Sequence, residues 1–188
     1  IIYRRFTYDG RTWSEKEVML NLKNPFDETR LCISPALIYE DGIYRMWCSS
    51  AEDFEGKYRT INYYEMIDGD MMELKSKHAL SKGILSHIDV VKDDGKYWLV
   101  GNDVSVDGFP LRLYSFVSPD EKDYKYEGIL LSHGKRGRWD DRVIYRPSAV
   151  WANQKLWLYY SAYGTNPNTS NHVGFIKVQN WKELLKCF

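Results

Sequence analysis

Alternating apolar and polar positions, interrupted by two-residue turns, divide the chain into β-hairpins. The clearest hairpin covers residues 86–100, where Asp94-Gly95 separates two runs rich in β-branched and aromatic residues. Asp-Gly favours a type I′ turn, because both central residues of that turn need positive φ, and such turns join adjacent antiparallel strands. Asp41-Gly42 and Asn153-Gln154 hold the same position in two further stretches. The pattern therefore predicts three similar hairpins.

The three hairpins repeat a common frame. When they are aligned on their turns, Gly42, Gly95 and Gln154 coincide, so the units recur 53 and 59 residues apart. Each hairpin is followed by a long loop, a third strand and a weak fourth strand, which is the strand order of a β-propeller blade. Both faces of the strands carry apolar residues, as expected for a sheet packed between two neighbours. The sequence therefore predicts an all-β propeller of four-stranded antiparallel blades.

About three and a half blades are predicted within a single domain. Residues 1–20 match only the second half of a blade, and full blades are predicted over 31–76, 84–128 and 143–184. Propellers close with about four to eight blades. We therefore expect these blades to belong to a larger ring, which a further chain segment or a partner completes. A β-sandwich with irregular hairpins is the alternative that the strand pattern leaves open.

Charge and composition narrow the classes of partner. The 26 basic and 26 acidic residues give a net charge of zero, which argues against binding to nucleic acid or to an anionic membrane. No apolar run approaches the roughly 18 residues of a transmembrane helix. Aromatic residues make up 15% of the chain, which suits β-structure and also suits stacking on sugars. The first residues carry neither an initiator methionine nor a signal-peptide pattern, so we expect a processed or excerpted chain.

The cysteines do not predict a disulfide framework. Three widely spaced cysteines are present, and Cys32 and Cys48 lie on opposite arms of the first hairpin. With a two-residue turn at Asp41-Gly42, Cys48 pairs with Pro35, and Cys32 is three residues away on the other face. This register predicts that the two thiols do not form a disulfide.

The motifs at the starts of the hairpins resemble those of glycoside hydrolases. Ser34-Pro35-Ala36-Leu37, His87-Ile88-Asp89 and Tyr145-Arg146-Pro147 begin successive first strands, and Asp9-Gly10-Arg11-Thr12-Trp13 looks like an outer turn of the form Asp-Gly-x-x-Trp. On these residues the chain resembles the propellers of glycoside hydrolase family 43, whose fold is shared by families 32, 62, 68 and 130. The resemblance covers almost the whole chain and implies a five-bladed propeller.

The resemblance also implies a chemistry. In such enzymes a carboxylate stands at the start of the first strand of successive blades, and carboxylates flank the glycosidic bond as acid and base. The corresponding residues here are Ser34, His87 and Arg146, and none of them is a carboxylate. The chain therefore resembles a divergent branch, to which the family's catalytic set does not carry over.

His87 and Asp89 are the leading candidates for chemistry at these positions. Side chains two residues apart on a strand point the same way, so both are predicted to face the central pocket. His87 could act as acid, base or sugar contact, and Asp89 could orient it or be a catalytic carboxylate. A purely structural His–Asp pair is the alternative. Arg146 would bind an anionic substituent such as a uronate or a phosphate, unless it forms a salt bridge between blades.

An aromatic residue and two carboxylates precede the third hairpin. Trp139, Asp140 and Asp141 suggest a sugar platform beside an acid, so Asp140 is a third catalytic candidate, and Trp139 and Asp141 are predicted to bind substrate. A solvated turn around a buried tryptophan is the alternative. Tyr145 and Ser34 complete the predicted substrate contacts.

No cofactor is predicted from the motifs. The chain lacks a Gly-rich phosphate loop, an HExxH motif and a CxxC motif, and His78, His133 and His172 do not have the spacing of metal ligands. A Ca²⁺ ion at the propeller centre and an extracellular or periplasmic location are implied by the family resemblance only. Asn102, at the end of a strand, gives a weak signal for a residue that supports the site.

Functions of different classes remain open at this point. The first is a carbohydrate-active protein that hydrolyses glycosidic bonds of an oligo- or polysaccharide by acid/base catalysis in the central pocket. The second is a non-catalytic glycan- or receptor-binding propeller, such as a surface-polysaccharide module or a phage-tail adhesin. The missing carboxylates favour the second and the polar residues at the strand starts favour the first. A scaffold that binds another protein is a third possibility.

Overall fold

A computed structural model describes residues 1–21, 31–51, 59–67, 71–80, 85–103, 112–165 and 171–186. Within these ranges the chain forms one two-stranded, two four-stranded and one three-stranded antiparallel sheet. In each sheet, neighbouring strands follow one another along the chain. We name these sheets the half-blade, blade 1, blade 2 and blade 3, in chain order.

The strands are assigned to the four sheets as follows. The half-blade contains β1 (Ile2–Arg4) and β2 (Glu17–Leu20). Blade 1 contains β3 (Leu31–Glu40), β4 (Ile43–Ala51), β5 (Arg59–Ile67) and β6 (Glu73–Leu80). Blade 2 contains β7 (Leu85–Asp93), β8 (Lys96–Asp103), β9 (Arg112–Ser118) and β10 (Lys125–Ser132). Blade 3 contains β11 (Val143–Ala152), β12 (Lys155–Tyr163) and β13 (His172–Val178), and is followed by helix α1 (Trp181–Leu184).

The three hairpin turns have the predicted backbone conformation. Both central residues have positive φ in each turn, with 53° and 77° at Asp41-Gly42, 50° and 69° at Asp94-Gly95, and 51° and 58° at Asn153-Gln154. Such turns match the right-handed twist of the strands that they join. In the third turn, therefore, the side chain of Gln154 is held in a backbone region that favours glycine.

The sheets pack face to face, which confirms the propeller prediction. The first strand of blade 2, β7, packs between the first strands of blades 1 and 3, β3 and β11. Trp47 of blade 1 lies in one apolar cluster with Leu99 of blade 2, and Val100 of blade 2 lies in another with Leu158 of blade 3. A third cluster joins Met19 and its neighbours in the half-blade to blade 1. Both faces of blades 1 and 2 are thus covered.

Helix α1 closes the seam between blades 2 and 3. The side chain of Trp181 is fully buried, stacks on Trp98 at a centroid distance of 5.6 Å, and donates its indole N–H to Ser115 Oγ at 2.9 Å. Its backbone N–H donates to Asp93 Oδ2 at 2.7 Å. In the described ranges, no helix has the length and apolar character needed to cross a membrane.

Each blade's first strand has a one-residue shift in register near its start. The shift falls at Ser34-Pro35 in β3, at Ser86-His87 in β7 and at Arg146-Pro147 in β11. Ser34 and Arg146 both have a φ of 50° there. Such β-bulges put two residues opposite one and re-aim the side chains beside them. The bulges fall within one residue of equivalent positions in the repeat.

The bulge in β3 explains why the prediction about the cysteines is wrong. Cys32 and Cys48 form a disulfide, with their Cα atoms 5.7 Å apart. The extra residue shifts the register, so that Cys32 pairs with Ser50 and lies on the same face as Cys48, which is two residues before Ser50 in β4. The turn residues could not show this, because the shift lies between the turn and Cys32.

Replacing Gln154 by glycine is expected to stabilise the protein by about 0.5–1 kcal/mol. The substitution removes the backbone strain of a residue with a side chain at positive φ, and this gain exceeds the extra conformational entropy that a glycine loses on folding. The measurement is the free energy of unfolding by denaturant. Gly95→Ala is the control in the equivalent turn, where φ is 69° and a Cβ would meet open space, so it should destabilise through backbone strain alone. A lower midpoint for Gln154→Gly would contradict the assignment of the turn.

The disulfide predicts the number of reactive thiols. The chain has three cysteines, so protein made in an oxidising compartment and denatured without reductant should show one thiol, and three after reduction. Cys48→Ser is the control, because it frees Cys32 and should show two thiols before reduction. Three thiols in the unreduced wild-type protein would contradict the pairing.

Candidate functional site

The starts of the three first strands lie at one end of the blades. In blade 3, Val143 at the start of β11 pairs with Tyr163 at the end of β12, and the hairpin turn lies at the opposite end. Blades 1 and 2 have the same antiparallel register relative to their turns. Because β3, β7 and β11 are neighbours, the structure brings Ser34, His87 and Arg146 to the same end of adjacent strands.

A hydrogen bond joins the first two of these positions. Ser34 Oγ lies 2.7 Å from His87 Nδ1, although the two residues are 53 positions apart in the chain. Both side chains are half-buried. A hydrogen bond at one ring nitrogen fixes the orientation of an imidazole and selects its tautomer. The pair therefore holds the histidine ring in a defined position between blades 1 and 2.

Tyr145 and Arg146 lie on the other side of the histidine. The ring centroids of His87 and Tyr145 are 6.4 Å apart, and the guanidinium carbon of Arg146 lies 5.4 Å from the Tyr145 ring centroid. The Arg146 side chain is exposed, and among the described residues no carboxylate forms an ion pair with it. A guanidinium that is planar, exposed and stacked can bind an anionic group through two parallel hydrogen bonds.

Asn102 holds the starts of β7 and β11 together beneath the central cluster through hydrogen bonds of its side-chain amide. It is fully buried opposite the bulge in β7, and its Nδ2 donates to Ser86 Oγ at 2.8 Å. Its Oδ1 accepts the backbone N–H of Arg146 at 3.3 Å. The amide thus ties the start of β7 to the start of β11. A polar residue at the end of a strand was the only sequence signal for it, because nothing in the sequence shows which backbone group it meets.

Asp89 points into the interface between blades 2 and 3. Its Oδ2 accepts the backbone N–H of Ala149 at 2.8 Å, and its Oδ1 accepts its neighbour Val90's N–H at 2.9 Å. Burial raises the pKa of this carboxyl, against the lowering effect of the two backbone N–H groups and of the Ser148 hydroxyl. Its oxygens are therefore occupied in holding blade 3 against blade 2.

His87 and Asp89 have different partners, although they lie two residues apart on β7. His87 bonds to Ser34 of blade 1 and its ring lies 6.4 Å from that of Tyr145 in blade 3, whereas Asp89 accepts the backbone N–H of Ala149. A register shift at Ser86-His87 lies directly before them. His87 therefore belongs to the cluster at the strand starts, and Asp89 joins blade 2 to blade 3.

Trp139 packs within blade 3. It stacks on Tyr160 at a centroid distance of 5.8 Å and 19° between the rings, and meets the ring of His172 edge-on at 5.7 Å. It is half-buried against the apolar cluster shared by blades 2 and 3. These contacts cover much of the ring that a sugar platform would present.

Asp141 holds the loop in which Trp139 lies. It is buried, accepts the backbone N–H of Gly137, and accepts both the N–H and the hydroxyl of Thr165, at 2.6 Å and 2.9 Å. The backbone N–H groups of Gly137 and Thr165 lower the pKa of its carboxyl. Asp140 is half-buried beside it, and its carbonyl oxygen accepts the N–H of Gly134 at 2.9 Å. The loop is thus fixed at the same end of blade 3 as Tyr145.

The predicted site therefore divides into two groups. Ser34, His87, Tyr145 and Arg146 form a central cluster at the starts of the first strands. The Trp139–Asp141 loop forms a second group that is bound mainly to blade 3. Across the described ranges, no three histidine, cysteine or acidic side chains gather as metal ligands.

Comparison with known proteins shows likeness of structure. No family model matches the chain, and no curated protein does. An N-acetylgalactosamine deacetylase from F. plautii, in complex with blood group B trisaccharide, is 18% identical with a TM-score of 0.64, over 82% of this chain and 51% of that one. Zg3597, a family 117 glycoside hydrolase of Zobellia galactanivorans, is 16% identical with a TM-score of 0.65, over 79% and 52%. A thermostable family-43 glycoside hydrolase is 15% identical with a TM-score of 0.61, over 82% and 49%.

These similarities establish the fold. The chain spans about half the length of these solved structures. Glycoside hydrolases of families 32 and 62 match it as well, with TM-scores of 0.61 and 0.58. The resemblance to the propeller glycoside hydrolases that the sequence motifs predicted is thus confirmed in the architecture.

Replacing Asp141 by asparagine should lower the melting temperature of the protein by an amount that depends on pH. A carboxyl whose pKa is lowered by folding contributes stability above its ordinary pKa of 3.8, and loses it as the pH falls through the lowered value. Asp141→Asn should therefore melt several degrees below wild type at pH 7, and the gap should close below pH 3.8. Thermal melts across this range measure it, with Asp140→Asn as the matched control. A gap that is constant with pH would contradict the role of the charge.

Proposed function

We propose that the chain is part of a carbohydrate-active β-propeller that hydrolyses glycosidic bonds at the central cluster. The observation that carries the proposal is the hydrogen-bonded pair of Ser34 and His87 beside Tyr145 and Arg146, at the starts of three neighbouring first strands. The structures with this fold are mainly glycoside hydrolases, which supports a saccharide as the ligand.

In this proposal His87 moves the proton. Histidine is the side chain that most often serves as general acid or base, and the bond to Ser34 holds the ring in place. A general acid donates a proton to the glycosidic oxygen as the bond to the leaving sugar breaks, and a general base takes a proton from the attacking water. Asp140 is the carboxylate proposed for the second role, because both oxygens of Asp89 already accept backbone N–H groups.

Arg146 and Tyr145 would recognise the sugar. The exposed guanidinium over the tyrosine ring suits a uronate or a phosphate substituent. Ser34 would contact a sugar hydroxyl beside His87, and Trp139 and Asp141 would shape the edge of the site. We thus propose an acidic oligo- or polysaccharide as the substrate.

A non-catalytic glycan-binding propeller is the second candidate. The three positions where related folds would place carboxylates hold Ser34, His87 and Arg146, which form polar contacts but include no acid. Recognition of an anionic glycan needs only the guanidinium and the aromatic ring. This candidate predicts binding without any cleavage.

We also propose that the protein works in an oxidising compartment, extracellular or periplasmic, and that a further segment or a partner completes the ring. The disulfide between Cys32 and Cys48 supports the location, since such bonds persist mainly outside the cytosol. The three strand starts line only part of a central site, which supports the proposal that a further segment or a partner completes the ring.

A glycan array with neutral and uronate- or phosphate-bearing oligosaccharides, followed by product analysis, tests the function. His87→Gln keeps a side chain that can bond to Ser34 but removes the acid/base, so cleavage should fall about 10²–10⁴-fold while binding is retained. The Arg146→Ala protein should no longer bind the acidic glycans and should still bind the neutral ones.

The controls are His133→Gln and Arg11→Ala, two exposed residues outside the cluster. Both should behave as wild type in binding and in cleavage. If the wild-type protein binds a glycan without cleaving it, the hydrolase proposal is wrong and the non-catalytic glycan-binding propeller takes its place. If folded protein, shown by a cooperative melt, binds no glycan, both the hydrolase and the glycan-binding proposal are wrong.

A further inference from the structure

The connection between β10 and β11 is longer than its counterpart in the preceding repeat. It has ten residues, 133–142, whereas the connection between β6 and β7 has four, 81–84. The six extra residues match the difference between the hairpin spacings of 53 and 59. The connection leads from β10, at the edge of blade 2 furthest from β7, to the start of β11. We call residues 133–142 the basic loop, and it crosses the end of the blades at which the central cluster lies.

The basic loop separates its charges by sign. Its two acidic side chains face inward, since Asp141 is buried and accepts the N–H of Gly137. Asp140 Oδ1 lies where a Cβ on Gly134 would be. Its basic side chains are exposed, and they are Lys135, Arg136, Arg138 and Arg142. The outer surface of the loop is therefore positively charged, although the chain as a whole has no net charge.

The backbone of the basic loop is fixed by its own hydrogen bonds and by blade 3. The N–H of Gly134 donates to Asp140 O at 2.9 Å, and the N–H of Arg138 donates to Lys135 O at 3.0 Å. Gly164, directly after β12, packs so closely that a Cβ there would lie 2.6 Å from Arg138 O. The positions from which the basic side chains extend are thus set before a ligand binds, which lowers the entropy cost of binding.

Two tyrosine rings join the basic loop to the central cluster. The guanidinium carbon of Arg142 lies 5.9 Å from the ring centroid of Tyr163. Tyr163 meets Tyr145 edge-on, with centroids 6.3 Å apart. Tyr145 in turn carries the guanidinium of Arg146 at 5.4 Å. A continuous surface of cationic and aromatic groups therefore runs from the loop to Arg146.

We propose that the basic loop is a second anion-binding subsite, whose ligand is a glycan with a carboxylate or phosphate group on successive sugars. The inference rests on the proposed function, because one anionic sugar of the same glycan would be bound at Arg146. Within the described ranges, Lys135, Arg136 and Arg138 form no ion pair. Guanidinium groups bind carboxylates and phosphates through paired hydrogen bonds. The loop would thus bind the charged sugars that extend outward from the central cluster.

A nucleic acid and an anionic membrane are the other polyanions that a basic surface can meet. The zero net charge of the chain gives little long-range attraction to either of them. The loop also has no exposed apolar side chain that would enter a membrane, because Trp139 is half-buried and stacks on Tyr160. A glycan is favoured because the basic surface is continuous with the central cluster, where a sugar is the proposed ligand.

Calorimetric binding of a disaccharide and a decasaccharide of galacturonic acid tests the subsite. The triple variant Lys135→Gln, Arg136→Gln and Arg138→Gln should bind the decasaccharide about tenfold more weakly than wild type, since each exposed ion pair contributes roughly twofold. It should bind the disaccharide as wild type does, because the disaccharide occupies only the Arg146 position. The difference should disappear at high salt, which screens exposed charges.

The matched control removes the same charge at the opposite end of blade 2. It is the triple variant Lys96→Gln, Lys122→Gln and Lys125→Gln, whose lysines are exposed beside the turns that precede β8 and β10. It should bind both probes as wild type does. If the loop variant does not melt cooperatively, Arg136→Gln alone replaces it, with an expected loss of about twofold for the decasaccharide.

Mannosyl phosphate oligomers of the same two lengths distinguish the anionic groups. A loss confined to the longer oligomer and to the loop variant, with either kind of probe, supports the proposal, and the probe that shows it identifies the group. Wild-type affinity of the loop variant for both long probes would overturn the proposal, as would an equal loss in the control. Tight binding of a single-stranded DNA decamer that the loop variant abolishes would also overturn it.

The short probes separate this proposal from the proposed function. If wild type binds the disaccharide and the loop variant binds the long probes as well as wild type does, the subsite is wrong and the function at the central cluster stands. If folded wild-type protein binds no acidic glycan of either length, both are wrong.

Discussion

Face-to-face packing of successive sheets is the constraint on which the structure depends. A four-stranded sheet with apolar residues on both faces is stable only when both faces are covered, because its exposed side chains would otherwise stay in water. Blade 2 meets this condition through the clusters around Leu99 on one side and Val100 on the other. The central cluster follows from the same packing, since it forms where the covered sheets bring their first strands side by side.

Polar contacts specify how the sheets are placed against one another. Glu40 of blade 1 accepts hydrogen bonds from Lys92 and Tyr97 of blade 2, and the bond from Lys92 lowers the pKa of the Glu40 carboxyl. Asp89 performs the corresponding task toward blade 3. Apolar packing alone would allow the sheets to slide, whereas these bonds, near the hairpin turns and in the middle of the strands, hold the first strands in place relative to each other. The position of His87 thus also depends on residues outside the central cluster.

The hairpin turns and the repeated blades could be predicted from the sequence. Asp-Gly pairs and their spacing gave the hairpins and the propeller, because positive φ is a local property of two residues. The bulges could not be predicted, since an extra residue in a ladder leaves no mark in composition or alternation. The disulfide between Cys32 and Cys48 follows from the bulge in β3, and the prediction that these cysteines stay unpaired failed there. The partners of Asn102 were hidden for a different reason, since they depend on tertiary contacts between two blades.

The bulges also bear on how such a site can diversify. At a bulge, a residue is left out of regular strand pairing, so its side chain can change with little effect on the ladder. The three repeats already show this, with serine, histidine and arginine at equivalent positions on one common frame. Architecture and chemistry are therefore encoded in separate positions of the repeat. A propeller built this way can acquire a new specificity by substitutions at the strand starts, while the turns and the packed faces continue to determine the fold.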